Sequence, residues 1–147
     1  MSTVRTILDR KGNSFWFIEP EATVLKAVKR LHDKKIGALI VMDEERLVGV
    51  FSERDLVRLV ATKGEACLQL TIHEVMTSQV FGVKPSTTVD ECMALMSDKG
   101  IRHVPVLEGK TVLGVVSNRD VVYEAIANRE SLLSGVDVLI ANHQFPT

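Results

Sequence analysis

Apolar residues recur at helical spacing at Val24, Val28 and Leu31, behind an entry marked by Pro20 and Thr23. The same arrangement returns at Val89, Met93 and Met96, behind Pro85 and Thr88. Two short apolar runs around a polar turn follow each helix and predict a hairpin. The first pair is Ala38–Met42 and Leu47–Phe51, joined by Asp43–Arg46; the second is His103–Leu107 and Val112–Val116, joined by Glu108–Thr111. A further helix is expected to open at Ser52, carrying Leu56, Leu59 and Val60, and again at Ser117, carrying Val121, Val122 and Ile126. Short strands are expected ahead of each unit, at Phe15–Ile18 and Val80–Val83.

The two units are copies. Shifted by 65 residues, Ile18–Val60 lies on Val83–Ala125 without a gap, and 13 of the 43 pairs are identical. Composition alone gives about one match in sixteen. One such module has too little core to stand alone, so the two are expected to pack together through their sheets. The expected fold class is α/β of the α+β type: two pseudo-symmetric repeats, each a small three-stranded sheet with two helices, packed sheet to sheet. The boundaries are set at 1–65 for the N-terminal flank and first repeat, 66–79 for the linker, 80–130 for the second repeat and 131–147 for a C-terminal helix or tail. Val4–Asp9 reads as a short amphipathic helix laid across the other module. Lys63-Gly64 reads as a helix stop opening a linking stretch from Thr62 to Met76. Glu130–Asn142 reads as a last helix with Leu132, Leu133, Val136 and Ile140 on one face.

Composition narrows the function classes. Apolar residues make up 46% of the 147 and charged residues 25%, the balance of a globular chain. Eighteen Lys and Arg against nineteen Asp and Glu leave a formal charge of −1, so no overall field favours nucleic acid or an anionic membrane. No apolar run approaches the roughly 20 residues of a membrane span. The opening MSTVRTILDRKG lacks the apolar core of a secretion signal, and a cytoplasmic protein is expected. Cys67 and Cys92 are too few for a disulfide framework or a zinc site, and no metal is expected. The histidines, His32, His73, His103 and His143, join no HExxH or nucleophile-elbow pattern, and no Walker loop or GxGxxG is present, so no enzyme is expected.

The repeated chemistry lies in Ser52-Glu53-Arg54-Asp55 and Ser117-Asn118-Arg119-Asp120. Ser and Asp three residues apart at a helix start make a capping box. That accounts for both residue types but not for the Arg in each copy. A helix N-terminus with a forked cation beside it suits phosphate, and an acceptor-only carboxylate suits the two hydroxyls of a ribose. Arg102 and His103 open a strand where the first copy has Gly37 and Ala38, so the two copies are expected to hold anions unequally, with more room on the Gly37–Ala38 side. Gly49 and Gly114 fall inside strands, where packing is the commoner cause and an open wall for a base the rarer one. Thr23 and Thr88 read as helix caps. Phe15-Trp16-Phe17 fits a buried strand with core aromatics, with base stacking as the alternative. The cluster Lys26, Lys29, Arg30, Lys34 and Lys35 fits a solvated helix face.

Tandem spacing, Gly-Val-x-Ser-x-Arg-Asp in both copies, and IGALIVMD and IRHVPVLE after each first helix together resemble a pair of cystathionine-β-synthase (CBS) domains, or Bateman module. The resemblance spans nearly the whole chain and, with no partner domain in the 147 residues, is to the stand-alone form. It implies a regulatory module binding adenosine-containing ligands (AMP, ADP, ATP or NAD, with S-adenosylmethionine ranked last) in the clefts between the repeats. It also implies flat, disc-like homodimers, here with Val4–Leu8, Leu132 and Ile140 between chains, and a signal passed to a target enzyme or transporter. By matching position, Asp55 and Asp120 would hold ribose. Ser52, Arg54, Ser117, Arg119, Arg102, His103, Gly37 and Ala38 would line the phosphate side. Thr23, Thr88, Trp16, Phe17, Ile18, Phe81 and Val83 rank second. The rival readings are a structural dimerisation module without nucleotide, and a weak nucleic-acid binder using the Lys-rich helix.

Overall fold

A computed structural model describes residues 2–12, 14–127, 135–137 and 139–142. Helix α1 (Val4–Lys11) leads into strand β1 (Phe17–Ile18), helix α2 (Val24–Lys34), the hairpin β2 (Ala38–Asp43) and β3 (Arg46–Ser52), and helix α3 (Glu53–Lys63). A 3-10 segment, Gly64–Gln69, and the short helix α4 (Ile72–Val75) carry the chain to the second repeat: α5 (Val89–Lys99), β4 (His103–Glu108), β5 (Thr111–Ser117) and α6 (Asn118–Ile126). In the first repeat β1 runs parallel to β2, which pairs antiparallel with β3. The second repeat keeps the antiparallel pair, but its expected strand at Val80–Val83 is reduced to one parallel bridge, Val83 to Val106.

The helices start where the sequence provides caps. The Thr23 hydroxyl accepts from the Lys26 N–H at 3.2 Å, and Thr88 closes a reciprocal box with Glu91. Each hairpin carries a bulge, between Val41 and Met42 and between Val106 and Leu107, beside Gly49 and Gly114. A Cβ on Gly49 would meet Met76 Sδ at 2.5 Å and the backbone Thr77 O at 3.0 Å, so packing favours glycine there.

Two cores result. Leu39, Val41 and Phe51 face Val24, Ala27 and Leu31 in the first; Val104, Val106 and Val116 face Val89, Cys92 and Met96 in the second. The opposite faces of the central strands are buried too, at Ile40, Met42 and Pro105, because the sheets pack on each other. The stretch read as a linker is folded onto the first core through the fully buried Ile72, with Leu68 and Leu70 packed against it. Helix α1 lies across the second module, with Val4, Ile7 and Leu8 inside that core and Val4 N–H donating to Thr87 O at 2.8 Å. Val4–Leu8 therefore packs within its own chain rather than between chains. Of the expected last helix, residues 130–134 and 138 lie outside the described residues, whereas Val136, Leu139 and Ile140 are non-helical and exposed. Among the described residues, no helix is long and apolar enough to cross a membrane.

Candidate functional site

Ser52 and Ser117 end their strands in extended conformation and cap the following helix. Asp55 Oδ2 accepts from the Ser52 N–H at 2.9 Å and the Ser52 hydroxyl at 3.1 Å, leaving Asp55 3% exposed. Its other oxygen, Oδ1, faces Arg58 Nη2 at 3.3 Å. In the second copy Asp120 Oδ2 accepts from the Ser117 N–H at 2.8 Å and from Lys11 Nζ at 2.7 Å. Burial works to raise the Asp120 pKa, but the Lys11 ammonium and the Ser117 donors outweigh it and hold the carboxyl below its usual value.

The Ser52–Asp55 corner borders a cleft of about 630 Å³ between the repeats. Val50 and Val57 form part of one wall, Phe81 and Ile101 part of the other. Lys99 Nζ stands 5.0 Å from the centre of the Phe81 ring, and Arg54 donates to Gly100 O at 2.8 Å, tying the walls together. Gly37, Ala38, Arg102 and His103 all line this one cleft, so the two strand starts meet in it rather than marking two separate clefts. Nor is Gly37 roomy: a Cβ there would lie 2.8 Å from Glu53 Oε1 and 3.1 Å from His103 Cε1. Burial, partly offset by Glu53 and Asp120, lowers the His103 pKa, so the ring is neutral at pH 7.

Other predicted residues lie apart from the cleft. Arg119 is exposed on α6. The Thr23 and Thr88 side chains are spent on capping, and Ile18 and Val83 are core. Trp16 and Phe17 are about half exposed rather than buried, and Lys34 lies 4.2 Å over the Trp16 ring. The basic helix face is partly committed as well, Lys26 to Glu19 and Arg30 to Phe17 O. Sequence reasoning missed Arg58, Lys99 and Lys11. Arg58 was readable as the cation three residues after Asp55; Lys11 gave no local signal. Among the described residues, no cluster of His, Cys, Asp or Glu is suited to a metal ion.

The CBS domain pattern matches residues 5–62 and again 72–126. The chain is 32% identical over 141 residues to the CBS domain-containing protein CBSX3, mitochondrial, of Arabidopsis thaliana, covering 89% of this chain and 68% of that protein. The crystal structure of the CBS-domain containing protein ATU1752 from Agrobacterium tumefaciens superposes with a TM-score of 0.83 at 38% identity, over 85% of this chain and all of that one. The CBS domain pair of protein MJ0100, solved with 5′-methylthioadenosine and S-adenosyl-L-methionine, gives a TM-score of 0.73 at 26% identity, over 88% of this chain and 99% of that one. With two matched repeats spanning most of its length, the chain belongs to the CBS-domain family.

Proposed function

We propose that the cleft at Asp55 binds an adenosine-containing nucleotide and that a partner reads its occupancy as a conformational change. One observation carries the reading: a carboxylate, a helix N-terminus and several cations converge on a single cleft of small-molecule size. Asp55 Oδ1 is the oxygen left for ribose hydroxyls once Arg58, whose side chain is 64% exposed, swings aside. The start of α3 with Ser52 and Arg54, faced by Arg102 and Lys99, supplies donors for phosphate. Phe81 and Val50 give adenine an apolar bed. The adenosine ligands of MJ0100 support the class. Cations on the walls favour AMP, ADP, ATP or NAD over the sulfonium of S-adenosylmethionine.

In this reading the module is regulatory rather than catalytic and works in the cytoplasm as a homodimer, signalling to a target enzyme or transporter. Val57 and Val60 on α3, with Val122 and Tyr123 on α6, offer exposed apolar surface for pairing. The test is a thermal-shift panel of AMP, ADP, ATP, NAD and S-adenosylmethionine. A phosphate-bearing ligand at a hundred times its Kd adds about 2.7 kcal/mol and raises the melting temperature by several degrees. No shift with any of the five rejects the reading. Light scattering at micromolar concentration tests the pairing, with about 33 kDa expected and a clean 16.3 kDa monomer rejecting it.

A further inference from the structure

The duplication implies a second cleft at Ser117–Asp120, and that corner has an occupant from the same chain. Lys11, the last residue of α1, places its ammonium 2.7 Å from Asp120 Oδ2 and 3.0 Å from Val115 O. In the first repeat the equivalent carbonyl, Val50 O, accepts instead from the backbone of Thr77 at 2.9 Å. The two corners thus keep one motif with different company: Asp55 is paired by Arg58, a mostly exposed side chain on its own helix, and Asp120 by a lysine on a separate, docked element.

The dock is built. Val4, Ile7 and Leu8 are buried in the second core. Arg10, next to Lys11, pairs with the buried Glu124 at 3.2 Å and lies 4.4 Å over the Tyr123 ring. Tyr123 stands where the first repeat has Arg58, so the second corner lacks a cation of its own at that position and receives one from α1. A ribose approaching Asp120 would have to displace an ammonium whose backbone is fixed at both the apolar and the charged face of its helix.

We propose that α1 is a built-in occupant of the second corner, Lys11 taking the place of a nucleotide's ribose hydroxyls, so that each chain takes one nucleotide rather than two. The inference rests on the nucleotide reading of the first cleft. It is tested by titration calorimetry of ATP and AMP into the parent, Lys11→Met and Lys11→Gln. The Lys11 side chain is 32% exposed, and both variants keep its stem; melting curves verify that each folds. The parent is expected to take one nucleotide per chain. The variants are expected to take two, the second lost when Asp120→Ala is added and the first when Asp55→Ala is added. A parent that already takes two, one dependent on each aspartate, overturns the inference and leaves the nucleotide reading standing. Folded variants that stay at one per chain overturn it as well. No binding of either nucleotide by any of the three proteins brings down the nucleotide reading, and this inference with it.

Discussion

Asp55 and Asp120 close the same capping box at the same step of the repeat, yet they are neutralised from opposite directions. Asp55 meets Arg58, one turn along its own helix, whereas Asp120 meets Lys11, from a helix 109 residues earlier in the chain. Duplication preserved the corner and left its surroundings free to diverge. Local motif therefore sets the carboxylate's position, and distant chain sets whether it is available. The same division runs through the cores, where Phe51 in one repeat stands for Val116 in the other, both fully buried.

The strongest way to sharpen this comparison is to empty the matched core positions. Phe51→Ala should cost about 3–5 kcal/mol and Val116→Ala about 2 kcal/mol, following the side-chain volume removed. Denaturant midpoints for the two variants measure the gap, and equal losses would mean that the two cores are not packed alike. At the corners, Asp55→Ala should weaken nucleotide binding by about 1.5–3 kcal/mol, the worth of a hydrogen bond to a charged group. Asp120→Ala should leave affinity within about 0.5 kcal/mol while removing one helix cap. Calorimetry decides, and equal effects on affinity would erase the asymmetry.

A smaller effect separates His103 from its counterpart Ala38. Burial lowers the folded pKa of His103, so its share of stability is present above the unfolded value of about 6.5 and is lost as pH falls through the lower folded value. Between those limits the parent should lose up to about 1.4 kcal/mol per pH unit more than His103→Gln. Melting temperatures from pH 7 to 5 test the slope, and parallel curves would remove His103 from the account. Smallest of all, the hairpin turns place Glu44 and Gly109 at equivalent positive φ, 57° and 62°. Glu44→Gly should stabilise by about 0.5–1 kcal/mol and Gly109→Ala should destabilise by a similar amount, because only glycine adopts that region without strain. Unfolding curves that move in the same direction for both would contradict this.

Much of the fold was legible because its determinants are local and repeated. Pro20–Thr23 and Pro85–Thr88 announce helices, and both hairpins extend only a residue beyond their predicted ends. The missing strand at Val80–Val83 was not legible: its place in the repeat, matching Phe15–Ile18, suggested pairing, but only Val83 reaches β4. The linking stretch hid its structure in a short box, where Thr71 caps the Ile72–Val75 helix against Glu74 and seats Ile72 in the first core. At the candidate site the Ser-x-Arg-Asp corners were readable because residue type and spacing suffice. Which strand start faces which corner was not, since Gly37 and His103 meet only when one repeat folds over the other. Lys11 was invisible for the same reason, a lysine in a charged stretch whose partner no periodicity marks.

The docking of α1 also fixes an order in time. A chain emerging during synthesis has every buried residue of its first core, Ile18 to Ile72, within one continuous stretch. The second core needs Val4, Ile7 and Leu8 together with residues as far along as Val121. An isolated helix of eight residues has little stability in water, so α1 is made before the core that orders it. Until the chain reaches Val121, the amphipathic segment Val4–Lys11 lacks part of the core that seats it.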